Sequence, residues 1–584
     1  MIPSLCYRLT PLTKPLLGEK RTLKIRLIDP AYENPLVGHS QKVIKRIWFA
    51  HLTLTTLAAL TPSDIDVRIT DENVEPIDFD EDVDLVGVTG MIIHASRAYE
   101  IAHRFRERGV PVVMGGPHAS SLPLEAKQHV DAVVMGEAEK VWGELLRDFQ
   151  HGSLKPFYKA DDYCSMEGLP PPRLDLLKKD AYMTVNCVQT TRGCPYSCDF
   201  CHVTHFFGKT YRCRPVDEVI AEVNRLEGNF LVFIDDNITG NRQYAKELFA
   251  RLKPLKKQWA GQTSITIARD PELLKLAADS GCVSFFIGIE SLSPANLKSV
   301  KKSFNHPSQF EDAIKAIHDF DIMILAGLIF GLDYDDEGVF ERTLRFCERN
   351  RIELPSFFLL TPLPGTPLFQ RMESEGRLLH QDWRQYNGAT VVFRPKLMTE
   401  ETLQQGFNWV CKEGYSLNSI FKRVIHPQQR FFTRLASNIA YRSIVQRSPE
   451  GTAPSLSRIL QRMNDTIPVR NTRDLIQRAG EKITERKQAF GQRAVDTLRL
   501  YSLYNERLKT LLVRLEGSID LEGSKELARR LKGALDARIQ RITLDFNDVK
   551  AFSSEAMALL ARQGFLQREE KGLLVAINAP DQTH

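Results

Sequence analysis

Short apolar runs alternate with stretches of helical period twice along this chain, over 22–149 and again over 185–361, and that rhythm restricts the fold more than any other feature. Parallel strands need a crossover between them, most often a helix, so β/α alternation predicts parallel sheets covered by helices. In the first series strands are expected at 22–29, 67–72, 85–89, 112–114 and 132–135. Each runs into small or polar residues: Asp29-Pro30, Thr89-Gly90, Gly115-Gly116-Pro117-His118 and Gly136-Glu137. Such tips gather at the carboxyl edge of a sheet, where open α/β domains bind ligands. The second series, with strands expected at 185–190, 230–235, 264–268, 283–289, 323–330 and 356–361, reads as a barrel or partial barrel. There too the chemistry belongs on loops after the carboxyl ends of strands.

A chain of 584 residues exceeds what one core organises, so roughly three or four domains of about 150 residues are expected. The first α/β series occupies 22–151, a polar, Pro-containing stretch over 152–173 reads as a linker, and the second series with its extension covers 180–398. A helical region rich in Arg and Gln is expected over 399–514, and a compact β/α unit over 515–580, with a helix at 523–538 and a strand at 541–546. The hydrophobic fraction of 43% beside 26% charged residues is that of a folded, soluble protein. Lys+Arg 78 against Asp+Glu 73 leaves a net charge of +5, which demands no nucleic-acid partner. No run approaches the ~20 apolar residues of a membrane span. The first residues lack a continuous apolar stretch with a small-residue cleavage site, which points to the cytoplasm.

Ten cysteines in so long a chain make no disulfide framework, yet Cys194, Cys198 and Cys201 fall together directly after the first strand of the second series. Three thiolates at this spacing can wrap a soft-metal centre, either an iron-sulfur cluster or zinc. Zinc wants a fourth ligand, which His202 or Cys213 could supply.

The stretch Gly193-Cys194-Pro195-Tyr196-Ser197-Cys198-Asp199-Phe200-Cys201, a C-x3-C-x2-C pattern with an aromatic before the last cysteine, resembles the signature of the radical S-adenosylmethionine (SAM) superfamily. The resemblance covers about 184–369 and implies a partial (β/α)6 barrel. In that family three cysteines hold a 4Fe-4S cluster whose fourth iron is chelated by SAM, and reductive cleavage of the sulfonium yields a 5′-deoxyadenosyl radical. It also implies SAM contacts at Phe200, at Asp235, Asp236 and Asn237 after the second strand, at Glu290 toward the ribose, and at Gly327 and Ile329 along the adenine. A Rossmann-like domain directly before such a barrel resembles the cobalamin-binding subclass. Thr89, Gly90, Gly115, Gly116, His118, Gly136 and Glu137 are then the expected cobalamin contacts. The Asp-x-His-x-x-Gly motif that supplies an axial histidine in other cobalamin proteins is absent from 22–149, which implies cobalamin without a protein imidazole on cobalt.

Gly208-Lys209-Thr210 is no phosphate loop, because position 203, where the motif needs glycine, is Val203. Asp382-Trp383-Arg384-Gln385-Tyr386-Asn387-Gly388 resembles the segment after the barrel in cobalamin-type relatives, including those acting on hopanoid lipids, although Trp383 and Tyr386 as i, i+3 neighbours suit core packing better. Basic residues beside an apolar stripe over 421–447 suit a helix docked on the barrel, or a lipid surface. The stretch 542–555 resembles a STAS domain, with Ser553 or Ser554 near the serine phosphorylated in signalling members; association with a protein partner is the expectation it carries. The leading functional expectation is cobalamin-dependent radical methylation of an unactivated carbon of a lipid or secondary metabolite, with flavodoxin or ferredoxin as electron donor. Radical cyclisation, rearrangement or carbon-carbon coupling without methyl transfer is the alternative, and a redox-sensing, partner-binding protein is the alternative of another class. No catalytic acid or base is assigned.

Overall fold

The computed structural model describes residues 22–31 and 47–424, a few positions between 434 and 442, and in the last hundred residues 498–505, 510–519, 525, 541–552 and 574–577. The chain divides into two compact units, Met1–Val469 and Arg470–His584.

In the first unit, Lys24–Asp29, Asp66–Asp71, Leu85–Thr89, Val112–Gly115, Ala132–Met135 and Phe157–Lys159 form one all-parallel sheet. Strand alternation sends successive residues to opposite faces, and here both faces are buried. Leu27, Val113 and Val134 enter a core with Trp142 and Leu145. Their neighbours Ile28, Met114 and Val133 enter another with Ile101 and Phe105. Asp66–Asp71 lies outside Lys24–Asp29 and all later strands lie on the other side, so the strand order reverses beside Lys24–Asp29. That reversal opens the crevice in which such sheets bind ligands. The sixth strand, Phe157–Lys159, lies inside the expected linker. Its three residues carry too little pattern to announce a strand, and only pairing with Ala132–Met135 defines it.

The second sheet is also all parallel, in sequential order Cys187–Val188, Phe230–Phe233, Gln258–Thr263, Cys282–Glu290, Met323–Phe330 and Leu354–Leu359. Trp259 stands among Phe233, Phe249 and Phe285 in its core. The third strand lies before the expected 264–268. Gln258, Gly261 and Gln262 dilute its apolar pattern, while buried Ile265 and Ile267 sit in a 3₁₀ turn beyond its end. After the barrel come helices Glu400–Gly414 and Leu417–Val424. Most of 421–447 lies outside the described residues, as do 448–457, Ser553 and Ser554. Among the described residues no helix is long and apolar enough to cross a membrane.

In the second unit Leu498–Asn505 pairs antiparallel with Thr510–Ile519, which runs parallel to Arg541–Phe552, and that in turn to Leu574–Ile577. The first of these strands falls within the stretch expected to be helical and the second crosses its end at 514; the alternation of Leu498 and Leu500 with Arg499 and Tyr501 is a strand period in an Arg-rich context. Of the expected helix 523–538, only Lys525 is described.

Candidate active site

The cysteine loop hangs from a two-stranded ribbon, Thr191–Gly193 paired antiparallel with Tyr211–Cys213. Gly193 has φ +87, and a Cβ there would stand 2.1 Å from the Thr210 carbonyl oxygen, so no other residue can turn the chain into the loop. Beyond Cys201, helix His202–Phe207 returns the chain to the ribbon. Cys194, Cys198 and Cys201 are all partly exposed. Burial pushes the Cys198 thiol up to about 12 and Cys201 to about 11, and raises Cys194. Thiols so placed ionise when a metal supplies the balancing charge. Asn237 Nδ2 donates to Cys194 Sγ at 3.8 Å.

The loop is clasped by 300–305, a segment to which the sequence drew no attention. Asp199 N donates to the Val300 carbonyl at 3.0 Å, Lys301 pairs with Asp199 at 2.9 Å, and Phe304 stacks on Tyr196 with centroids 3.6 Å apart. Lys302 is 9% exposed, its ammonium 2.6 Å from Glu290 Oε1 and 5.9 Å from the Phe200 ring centroid. Despite burial, which works to lower it, the Glu290 carboxylate and the Cys198 sulfur hold the Lys302 ammonium above its usual value. Glu290 ends its strand at a bulge with φ +64, a left-handed backbone rare outside glycine. A Cβ on Gly288 would lie 2.2 Å from Glu290 Oε1, so that glycine makes room for the carboxylate.

Asp235 binds the base of the loop. Its Oδ1 accepts from Thr190 N at 2.8 Å, Thr190 Oγ1 at 3.0 Å and Thr191 Oγ1 at 2.8 Å, and also from Thr191 N. Its Oδ2 is buried with no protein partner, and burial lifts the carboxyl to about 6. Asp236 Oδ2 accepts from Gly193 N at 3.2 Å. Gly327 lies directly beside Gly288 across the sheet, and Ile329 is half-buried further along the same strand.

At the carboxyl edge of the first sheet the loops present bare backbone. Gly116 has φ +92 and a Cβ on it would meet Thr89 Oγ1 at 2.7 Å; Gly136 has φ +75 and faces open space. His118 N donates to the Gly90 carbonyl at 3.1 Å, and Gly136 N to Ser120 Oγ at 2.8 Å, so the strand-end loops are tied together. Two expected contacts are engaged elsewhere. The His118 side chain is fully buried, its Nε2 2.5 Å from Tyr99 Oη and 3.5 Å from Glu125. Trp383 Nε1 donates to that same Glu125 at 2.9 Å, and Trp383 is buried as core packing required. Glu137 pairs with Arg192 at 2.7 Å and Arg212 at 2.9 Å, and accepts from Cys164 N at 2.8 Å. Its carboxylate therefore bolts the first domain to the cysteine ribbon instead of facing the crevice. Ser121 Oγ stands 2.8 Å from His202 Nε2, next to Cys201, and completes the junction.

This donor set suits the expected cofactors. Among the described residues no three His, Cys, Asp or Glu side chains converge on a single ion, as thiolates that each serve a different iron of a cluster need not. The orphaned Asp235 oxygen, the Glu290–Lys302 pair and the side-chain-free strand at Gly327 and Gly288 offer an acceptor, a polar pair and a flat wall for a nucleoside. Gly90, Gly115, Gly116 and Gly136 form a glycine floor at the carboxyl edge of the first sheet: a Cβ on Gly90 or Gly116 would press on His94 or Thr89, whereas Gly136 faces open space where a ligand can approach the backbone.

A sequence profile of the radical SAM superfamily matches 188–347, one of the B12 binding domain matches 52–146, one described as Mlab, STAS domain matches 502–584, and a domain of unknown function matches 366–460. The STAS match thus begins before the expected 515. Bacteriochlorophyllide d C-12(1)-methyltransferase of Chlorobaculum tepidum is 35% identical over 386 residues, 64% of this chain and 84% of that protein. Hopanoid C-2 methylase of Rhodopseudomonas palustris is 31% identical over 351 residues, 57% of this chain and 66% of that one. The solved structure of the cobalamin-dependent SAM radical enzyme OxsB with aqua-cobalamin bound covers 79% of this chain and 75% of its own at a TM-score of 0.55 and 15% identity, a likeness of fold.

Proposed function

Because the chain belongs to the cobalamin-dependent radical SAM methyltransferase family, we propose that it methylates an unactivated carbon of an apolar lipid or pigment-like secondary metabolite. Its cofactors are a 4Fe-4S cluster, SAM and cobalamin. When bound, they supply reductive cleavage of the sulfonium, hydrogen abstraction from the substrate and a methyl group for the resulting carbon. Cys194, Cys198 and Cys201 hold three irons, and the Lys302 ammonium offsets negative charge at the cluster. Asp235, Asp236 and Asn237 line the SAM amino end beside Phe200, Glu290 takes the ribose, and Gly327 and Ile329 pack the adenine. Thr89, Gly90, Gly115, Gly116 and Gly136 seat the corrin.

One observation carries this reading: the Ser121–His202 contact and the Glu137–Arg192 pair lock the glycine floor against the cysteine loop. Radical generation and methyl delivery must reach one carbon atom, and fixing both centres in one rigid frame removes the entropy of bringing them together. The substrate class is supported by the bacteriochlorophyllide and hopanoid named for the two relatives. Flavodoxin or ferredoxin in the cytoplasm would supply the electron, and the STAS-type unit would bind a protein partner.

The test is anaerobic reconstitution with iron, sulfide and hydroxocobalamin, followed by SAM, a strong reductant and either a hopanoid or a bacteriochlorophyllide. We expect about four irons and stoichiometric cobalt per chain, iron lost in Cys198→Ala, and a product heavier by one CH2 alongside 5′-deoxyadenosine and S-adenosylhomocysteine. 5′-Deoxyadenosine with a dehydrogenated or isomeric product would instead favour cyclisation or rearrangement, and zinc in place of iron would overturn the assignment.

A further inference from the structure

Beside the glycine floor, where the first sheet reverses its strand order, Lys24–Asp29 ends in a carboxylate joined to an imidazole: His51 Nδ1 stands 2.5 Å from Asp29 Oδ2. Asp29 is buried, whereas the His51 side chain is half-exposed. His51 is the N-cap of helix Leu52–Ala59, a position that favours Ser, Thr, Asp or Asn, and its ring makes no capping hydrogen bond. Helix chemistry therefore gives no reason for an imidazole here. The surroundings are built and polar: Asp71, also buried, accepts from Tyr182 Oη at 2.8 Å, and His94 follows the neighbouring strand end in the loop after Thr89.

An imidazole that ligates a metal nearly always has its other ring nitrogen held by a carboxylate or carbonyl, which fixes the tautomer and aims the ligating nitrogen. Asp29 holds Nδ1 of His51 in this way, leaving Nε2 for a metal. In the Asp-x-His-x-x-Gly motif the histidine follows the aspartate by two residues; here Asp29 is followed by Pro30 and Ala31. The chain reaches the same pairing with a histidine 22 positions on. Lys24–Asp29 pairs with Leu85–Thr89, so a corrin held on the glycine floor would lie at the same sheet edge that Asp29 terminates.

We propose that His51, oriented by Asp29, is an axial nitrogen ligand to the cobalt of bound cobalamin. This rests on the cobalamin reading above and reverses the expectation drawn from the missing motif. Nitrogen-14 has nuclear spin one and nitrogen-15 spin one-half, so the ligand can be read from the electron paramagnetic resonance spectrum of the protein loaded with cobalamin in the cobalt(II) state. We expect each resolved cobalt line to be a triplet in ordinary protein and a doublet in protein grown on nitrogen-15 histidine. His51→Gln should abolish the label-dependent change while retaining its iron, which reports an intact fold, and His94→Gln should keep it. Stoichiometric cobalt whose splitting ignores the histidine label would overturn the ligand and leave the cobalamin reading standing. Loss of the label effect in His94→Gln, with His51→Gln unaffected, would also overturn it. Failure of the parent protein to retain cobalt would remove both.

Discussion

Lys302 shows how one residue can matter to a site without a motif to mark it. Its ammonium meets Glu290, a carboxylate held at φ +64 beside the cysteine loop, and both side chains are almost fully buried. Removing one partner of a buried ion pair leaves an uncompensated charge and typically costs about 3–5 kcal/mol. Lys302→Met should therefore weaken SAM binding by about tenfold or more, equivalent to about 1.4 kcal/mol, as measured by equilibrium dialysis with labelled SAM on the reconstituted protein. An unchanged affinity would remove Lys302 and Glu290 from the SAM site. Cys194, Cys198 and Cys201 were legible because thiolate spacing is local chemistry. Lys302 was not, because its meaning depends on the loop that folds 300–305 back over the cysteines. His118 and Glu137 were legible as polar residues at strand ends, yet Tyr99 and two arginines decide what they bind.

Among the elements, the antiparallel ribbon ties the first domain to the cysteine loop. It carries Arg192 and Arg212 on facing positions, and both reach Glu137 of the first domain. Burial by itself would raise the Glu137 carboxyl, but the Arg212 and Arg192 guanidiniums hold it below the usual glutamate value of 4.5. A carboxylate whose folded value is depressed stabilises the fold fully above its ordinary value, and that stability is lost as pH falls through the folded value. Stability of the parent should thus decline below pH 4.5 with a contribution from this junction. Glu137→Gln should be less stable at neutral pH by about 3 kcal/mol and show a shallower acid decline, measured by urea unfolding over a pH series. Equal slopes in parent and variant would mean that the junction does not bear on stability. The displaced third barrel strand belongs to this scale as well: Gln258–Thr263 is a strand because neighbours pair with it on both sides, although its own residues alternate poorly.

On the scale of the whole chain, every residue assigned to the cluster, SAM or corrin lies within the first compact unit, Met1–Val469. A chain ending at Val469 is therefore expected to take up iron and cobalt in the same ratio as the full protein, read by metal analysis after anaerobic reconstitution; a shortfall in either metal would show that the second unit supports the first. The sequence alone determined the two parallel β/α series, the clustering of the three thiols and the family chemistry, because hydrophobic period and cysteine spacing are short-range properties of the chain. Only the tertiary structure decided that 300–305 covers the cysteine loop, that Glu137 and Ser121 join the two cofactor layers, and that Asp29 finds His51. Each of these contacts joins positions separated along the chain by a segment whose length and composition do not encode where it returns.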